Sequence, residues 1–79
     1  MDKQELDRLL LDAHDRNDPA DLIRYYTLAA DERETARDID AACFYLTHAF
    51  IFALESGVPE ADALNQRLVA YGRAHKLNF

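Results

Sequence analysis

Cysteine occurs once, at Cys43, so the chain cannot close an internal disulfide. Glycine occurs twice, at Gly57 and Gly72, which leaves nothing from which to build a glycine-rich phosphate loop. The two prolines, Pro19 and Pro59, punctuate the chain and do not mark a linker. Basic residues are scarce, nine against fifteen acids, for a formal charge of −6. The deficit is uneven: residues 1–40 hold twelve acids and six bases, and residues 41–79 hold three of each. Such a surface repels phosphate backbones, which excludes nucleic acid and anionic membranes as favoured partners and accommodates a basic one. Its plainest role is to keep a small protein in solution.

Catalytic and metal signatures are missing as well. Three histidines show neither HxxxH nor HExxH spacing. Asp38 and Asp40 resemble the start of a calcium loop, but no glycine or closing glutamate follows in register. Cys43 and His48 are five residues apart, about 500° of helix, and so point about 140° away from one another. The sequence therefore shows no catalytic, cofactor-binding or metal-binding signature, and none of these roles is expected of a particular residue; Cys43 reads as a small buried apolar residue.

What the chain does have is an uncharged middle. Residues 41–54, AACFYLTHAFIFAL, contain no Asp, Glu, Lys or Arg, although 30% of the whole chain is charged. A helix that is apolar all round must be covered on several sides, so this stretch is expected to be the central element of the fold or part of an interface. The segment is too short to span a bilayer and holds Thr47 and His48. The opening MDKQELDR is too polar and acidic for a secretory signal, and the expectation is a soluble cytoplasmic protein.

Periodicity and punctuation predict an all-α fold of four helices, over about 3–16, 19–36, 39–56 and 59–75, in one domain covering 1–79. In the first, Leu6, Leu9, Leu10 and Ala13 share a face; Asp2 and Glu5 have the spacing of a capping box, and Met1 and Leu6 that of a hydrophobic staple. Asp18 caps the second, Pro19 occupies its first turn, and Leu22, Ile23, Tyr26, Ala29 and Ala30 form its buried stripe. The third follows Asp38 and closes at Gly57. Its run CFYLTHAFIF is also rich in strand formers, but the uninterrupted segment is too long for a strand and has no strand-like partner. The fourth buries Ala61, Leu64, Leu68, Tyr71 and His75, with Gly72 as a weak point inside it. Short turns make neighbours antiparallel, giving two helical hairpins with the third helix central. The forty-residue spacing of Pro19 and Pro59 hints at an internal repeat.

The stretch from Arg37 through Ala49 resembles the second helix of a tetratricopeptide repeat. A short polar turn is followed by Ala42, the bulky Leu46 four residues on, and Ala49 three after that. In the preceding helix Tyr26 matches the family's aromatic and Ala30 its small residue. Arg33 stands where an aromatic is usual, and no proline follows at the expected distance. The resemblance covers roughly residues 23–54. It implies a right-handed stack of helices that binds protein segments without enzymatic activity.

Two apolar sectors run along the third helix. Ile39, Ala42, Cys43, Leu46, Phe50 and Ala53 lie on one; Ala41, Phe44, Tyr45, His48 and Phe52 lie broadly opposite, with Ile51 and Leu54 on the flanks. The aromatic stripe of Phe44, Tyr45, His48 and Phe52 is the candidate binding site. In a closed four-helix arrangement it is ordinary core; in an open two-layer stack part of it is exposed and docks another protein or a second copy of the chain. The function expected is a non-catalytic protein–protein interaction module. The alternatives are a structural homodimer joined through the third helix and a ligand-binding or enzymatic domain with a pocket among Tyr26, Tyr45, His48 and Tyr71.

Overall fold

The computed structural model describes residues 2–74. They form four helices, α1 (Lys3–Asp15), α2 (Pro19–Thr35), α3 (Ile39–Ser56) and α4 (Glu60–Ala70), with no strand among the described residues. Consecutive helices pack as antiparallel pairs, and the closest seam joins α2 to α3. The shortest principal extent is 13 Å, which is the thickness of two helix layers. Side chains also link alternate helices, His14 of α1 to Phe52 of α3 and Arg67 of α4 to Asp31 and Glu34 of α2, so α1 and α3 lie in one layer and α2 and α4 in the other.

Each helix stops in the same way. Asn17, Arg37, Gly57 and Gly72 take positive φ, between 51° and 72°. After each, a backbone N–H reaches back to a carbonyl of the last turn: Asp18 to Ala13, Asp38 to Arg33, Val58 to Ala53 and Arg73 to Leu68. This is the left-handed C-cap that satisfies the orphan carbonyls of a helix end. The first three recur at intervals of twenty residues, so the hairpins are built from near-equal units. Asp18 and Asp38 then cap the next helix, accepting from the N–H of Asp21 at 3.1 Å and of Ala41 at 3.2 Å.

Three local expectations are corrected. Asp2 stands at the N-cap position of α1, but its side chain makes no capping bond, so no capping box forms with Glu5. Gly72 does not weaken the interior of α4. It is the left-handed residue just beyond its end, and the helix stops at Ala70 rather than near residue 75. Leu9 is only half-buried, and Leu6, Leu10 and Ala13 are the buried residues of α1. The proposed Met1 staple and the residues from His75 onward lie outside the described residues.

The core is two clusters sharing α2 and α3. Leu6, Leu10 and Ala13 of α1 meet Leu22 and Ala29 of α2, with Tyr45 and Phe52 of α3 against them. Ile23 and Ala30 of α2 meet Cys43, Leu46, Ala49 and Ala53 of α3 and Ala61, Leu64 and Leu68 of α4. Adjacent positions on α2 thus face different neighbours. Alanine recurs along the central seam because small side chains let helix backbones approach closely. Polar straps tie α2 to α4: Arg67 reaches Asp31 at 2.8 Å and Glu34 at 3.4 Å, and Tyr71 donates to Glu34.

α3 is long and apolar enough to cross a membrane by length and composition, with a mean hydropathy of 1.2 over its 18 residues. The packing gives that apolarity another use. Ala42, Leu46, Ala49 and Ala53 are fully buried, and side chains of α1, α2 and α4 all touch this helix.

Candidate docking surface

α3 turns three sectors toward neighbours and leaves one open. At about 100° per residue, Phe44, Ile51 and Leu54 fall together on the open sector. They expose 57%, 46% and 42% of their surface. Thr47 lies among them, exposed, and donates its hydroxyl to the Cys43 carbonyl at 2.8 Å, so it presents little free polarity.

The predicted aromatic stripe is split by the packing. Tyr45 and Phe52 pack against the clusters of both hairpins and serve as core. His48 is half-buried, and Phe44 points outward. Ile51 and Leu54, assigned to the flanks from sequence, belong to the open face instead.

Rings carry this face across to α1. Phe44 lies 4.5 Å from the imidazole of His48, which stacks on Tyr26 of α2 at 5.1 Å. Tyr26 is also parallel to Phe52 at 6.0 Å, and His14 of α1 stands edge-on to both Tyr26 and Phe52. The Tyr26 hydroxyl and Nε2 of His14 are hydrogen-bonded at 2.9 Å. Burial, then the neighbouring Tyr45 hydroxyl, hold Tyr26 in its neutral form by raising its pKa above the usual phenol value. His48 bonds through Nδ1 to the Phe44 carbonyl at 2.9 Å. A carbonyl only accepts, so Nδ1 carries the hydrogen and Nε2 of the neutral ring is left as an acceptor.

Against α1, Tyr26 of α2 lines a shallow groove of about 440 Å³ with Asp7, Leu10, Leu11 and His14. Leu11 is 67% exposed. The open face is therefore continuous from Leu11 and His14, over Tyr26 and His48, to Phe44.

A second hollow of about 490 Å³ lies between α2 and the start of α4, lined by Ala20, Asp21, Ile23, Arg24, Thr27, Leu28 and Glu60. Its polar groups are largely committed: Arg24 binds Asp21 and Tyr25, and Thr27 donates to the Ile23 carbonyl. Of the pocket suggested by sequence, Tyr26, Tyr45 and His48 do come together, but Tyr71 is engaged with Glu34 on the other layer. Cys43 is buried in the α2–α3–α4 cluster, whereas the imidazoles of His14 and His48 engage Tyr26. Among the described residues no group of three or more His, Cys, Asp or Glu side chains is placed to hold a metal ion.

From sequence, His14 and Leu11 are not expected on this surface, and Tyr26 is expected in the buried stripe of α2 and in the alternative pocket. A signal for Leu11 existed: it falls off the stripe of Leu6, Leu10 and Ala13 and is therefore an apolar residue with no core to enter. Comparison with protein-family models, with curated proteins and with solved structures finds no match.

Proposed function

We propose that this chain is a small, non-catalytic protein–protein interaction module, built of tetratricopeptide-like hairpins, that docks a partner on the outer face of α1 and α3. One observation carries the reading: Leu11, Phe44, Ile51 and Leu54 are exposed on one layer of a domain with a modest core. Apolar side chains of that size stay on a surface at a cost in solubility, and their clustering marks an interaction site. Further support comes from the two-layer stacking of hairpins and the helix caps recurring at twenty-residue intervals, with which a repeat-like frame is compatible. The cytoplasm suits a lone thiol and an acidic surface.

Photo-crosslinking tests this. A benzophenone amino acid at position 44 is expected to give a discrete protein adduct in cells, while the same probe at exposed Gln66 gives none. The adduct should vanish when Leu11→Asp is added. Equal labelling from positions 44 and 66 would refute the docking face. An adduct of twice the chain mass would identify a second copy as the occupant and make the protein a structural homodimer.

A further inference from the structure

Folding redistributes the charge. The sequence places the excess acid in the first forty residues, but antiparallel packing collects it at one end of the molecule. The end formed by the α1–α2 and α3–α4 turns carries Asp12, Asp15, Asp18, Asp21, Glu55, Glu60 and Asp62 against Arg16 and Arg24. Arg16 is already clasped by Asp12, Asp18 and Asp21 at 2.8, 2.8 and 3.0 Å, and their hydrogen bonds raise its pKa.

Most of these acids have a folding role. Asp18 caps α2, and Asp21, Glu60 and Asp62 lie in the first turns of α2 and α4, where the helix dipole favours negative charge. Asp15 and Glu55 have the opposite placement. Asp15 is the last residue of α1 and Glu55 the penultimate residue of α3, where the dipole is itself negative. Both are exposed, and neither has an ion-pair partner among the described residues. Each also follows an exposed apolar residue by one helical turn: Asp15 follows Leu11, and Glu55 follows Ile51. Two unpaired acids in positions that disfavour folding therefore border the apolar face, on the same layer and at the same end.

The geometry points to a cationic amphipathic helix of another protein as the occupant of this face, an inference that rests on the docking role proposed above. Its apolar side would cover Leu11, Phe44, Ile51 and Leu54, with lysine or arginine side chains at Asp15 and Glu55. A second copy fits less well. The four side chains expose roughly 400 Å² in all, at about 150–200 Å² for each when fully exposed. A stable pair needs about 800 Å² from each partner. A second copy also carries the same net charge of −6, so it brings like charge to the acidic rim.

Fluorescence anisotropy with three labelled eighteen-residue peptides tests the inference. One carries an apolar stripe at helical spacing with lysines at one end; a second replaces lysine by glutamate; a third scrambles the lysine peptide. The lysine helix is expected to bind at least tenfold more tightly than either of the others. Asp15→Asn with Glu55→Gln should weaken it about tenfold without lowering the melting temperature, and Phe44→Ala with Ile51→Ala should abolish binding. Equal binding of the lysine and glutamate helices, both lost in the Phe44/Ile51 variant, would overturn the cationic partner and leave the docking face standing. Equal binding of the scrambled peptide, or indifference to the Asp15/Glu55 variant, would overturn it as mere charge attraction or as misplaced. No binding by any peptide overturns it too, and the position-44 crosslink then separately decides the docking role.

Discussion

Phe44 and Leu46 are two residues apart on α3 and face opposite ways, so a pair of alanine substitutions measures the orientation of this helix directly. Leu46 is completely buried. Truncation to alanine removes three carbons, about 2.4 kcal/mol of transfer free energy at about 0.8 per methylene. The seam of small residues around it cannot close the space, and the residual cavity brings the cost to about 3–4 kcal/mol. A domain of this length is worth about 4–12 kcal/mol in total, so the variant loses a quarter or more of its stability. Phe44 keeps only part of its ring against His48 and Tyr45. Losing those contacts costs about 1 kcal/mol, and the better helix propensity of alanine returns about half of it. The net is about 0.5 kcal/mol. Urea unfolding followed by helical circular dichroism, with a slope of about 1 kcal/mol/M, should show midpoints lower by about 3 M for Leu46→Ala and about 0.5 M for Phe44→Ala. Equal losses, or a larger loss at Phe44, would mean that α3 is rotated from the orientation described, and the docking face would fall with it.

Arg37 holds a left-handed conformation at φ 61° that costs an L-residue about 1 kcal/mol. Arg37→Gly relieves more than the added chain entropy removes, so a gain of about 0.5 kcal/mol is expected by thermal unfolding, whereas Gly57→Ala, at φ 66° in open space, should lose about 1 kcal/mol. Asp18 has its pKa lowered, first by the Asp21 backbone N–H and then by Arg16. A carboxylate stabilised in the folded state contributes fully above its unfolded value of 3.8 and loses that contribution as pH falls through its lower folded value. The stability difference between the parent and Asp18→Asn should therefore be level from pH 8 to about 4 and shrink below it; a constant difference down to pH 2 would refute the assignment.

Much of the architecture was legible because it rests on local chemistry. Asp18 and Asp38 fall three residues before the N–H groups they cap, and Gly57, having no Cβ, makes a left-handed end inexpensive. Gly72 has the same property, yet its position inside an apparently continuous Leu64–Leu68–Tyr71–His75 stripe hid it. The stripe reads as helix until Tyr71 is seen to reach back toward Glu34 of α2, a contact thirty-seven residues away that periodicity cannot register. Asp2 and Glu5 show the converse. Their spacing permits a capping box, but the α1 start binds through the Asp2 carbonyl and leaves the carboxylate free of it.

The candidate surface was less legible, and the reason is geometric. Helical angles tell which residues of α3 lie together but not how many neighbours arrive, and three neighbours instead of two change which sector stays open. Tyr45 and Phe52 sit on the side where α1 comes in, so they became core; Ile51 stays exposed and Leu54 only rims a hollow beside Pro59 and Ala61 at the start of α4, so they did not. The charge pattern was hidden for the same reason. Summed along the chain, Asp15 and Glu55 belong to different halves, one acidic and one balanced. Antiparallel hairpins bring the C-terminal ends of α1 and α3 to the same end of the molecule, so two charges forty residues apart in sequence share one end of the fold. An exposed apolar strip alone would attract any greasy surface. On the proposed reading, the two acids beside the strip, each at the C-terminal end of its own helix, would favour an apolar helix of opposite charge over a neutral one.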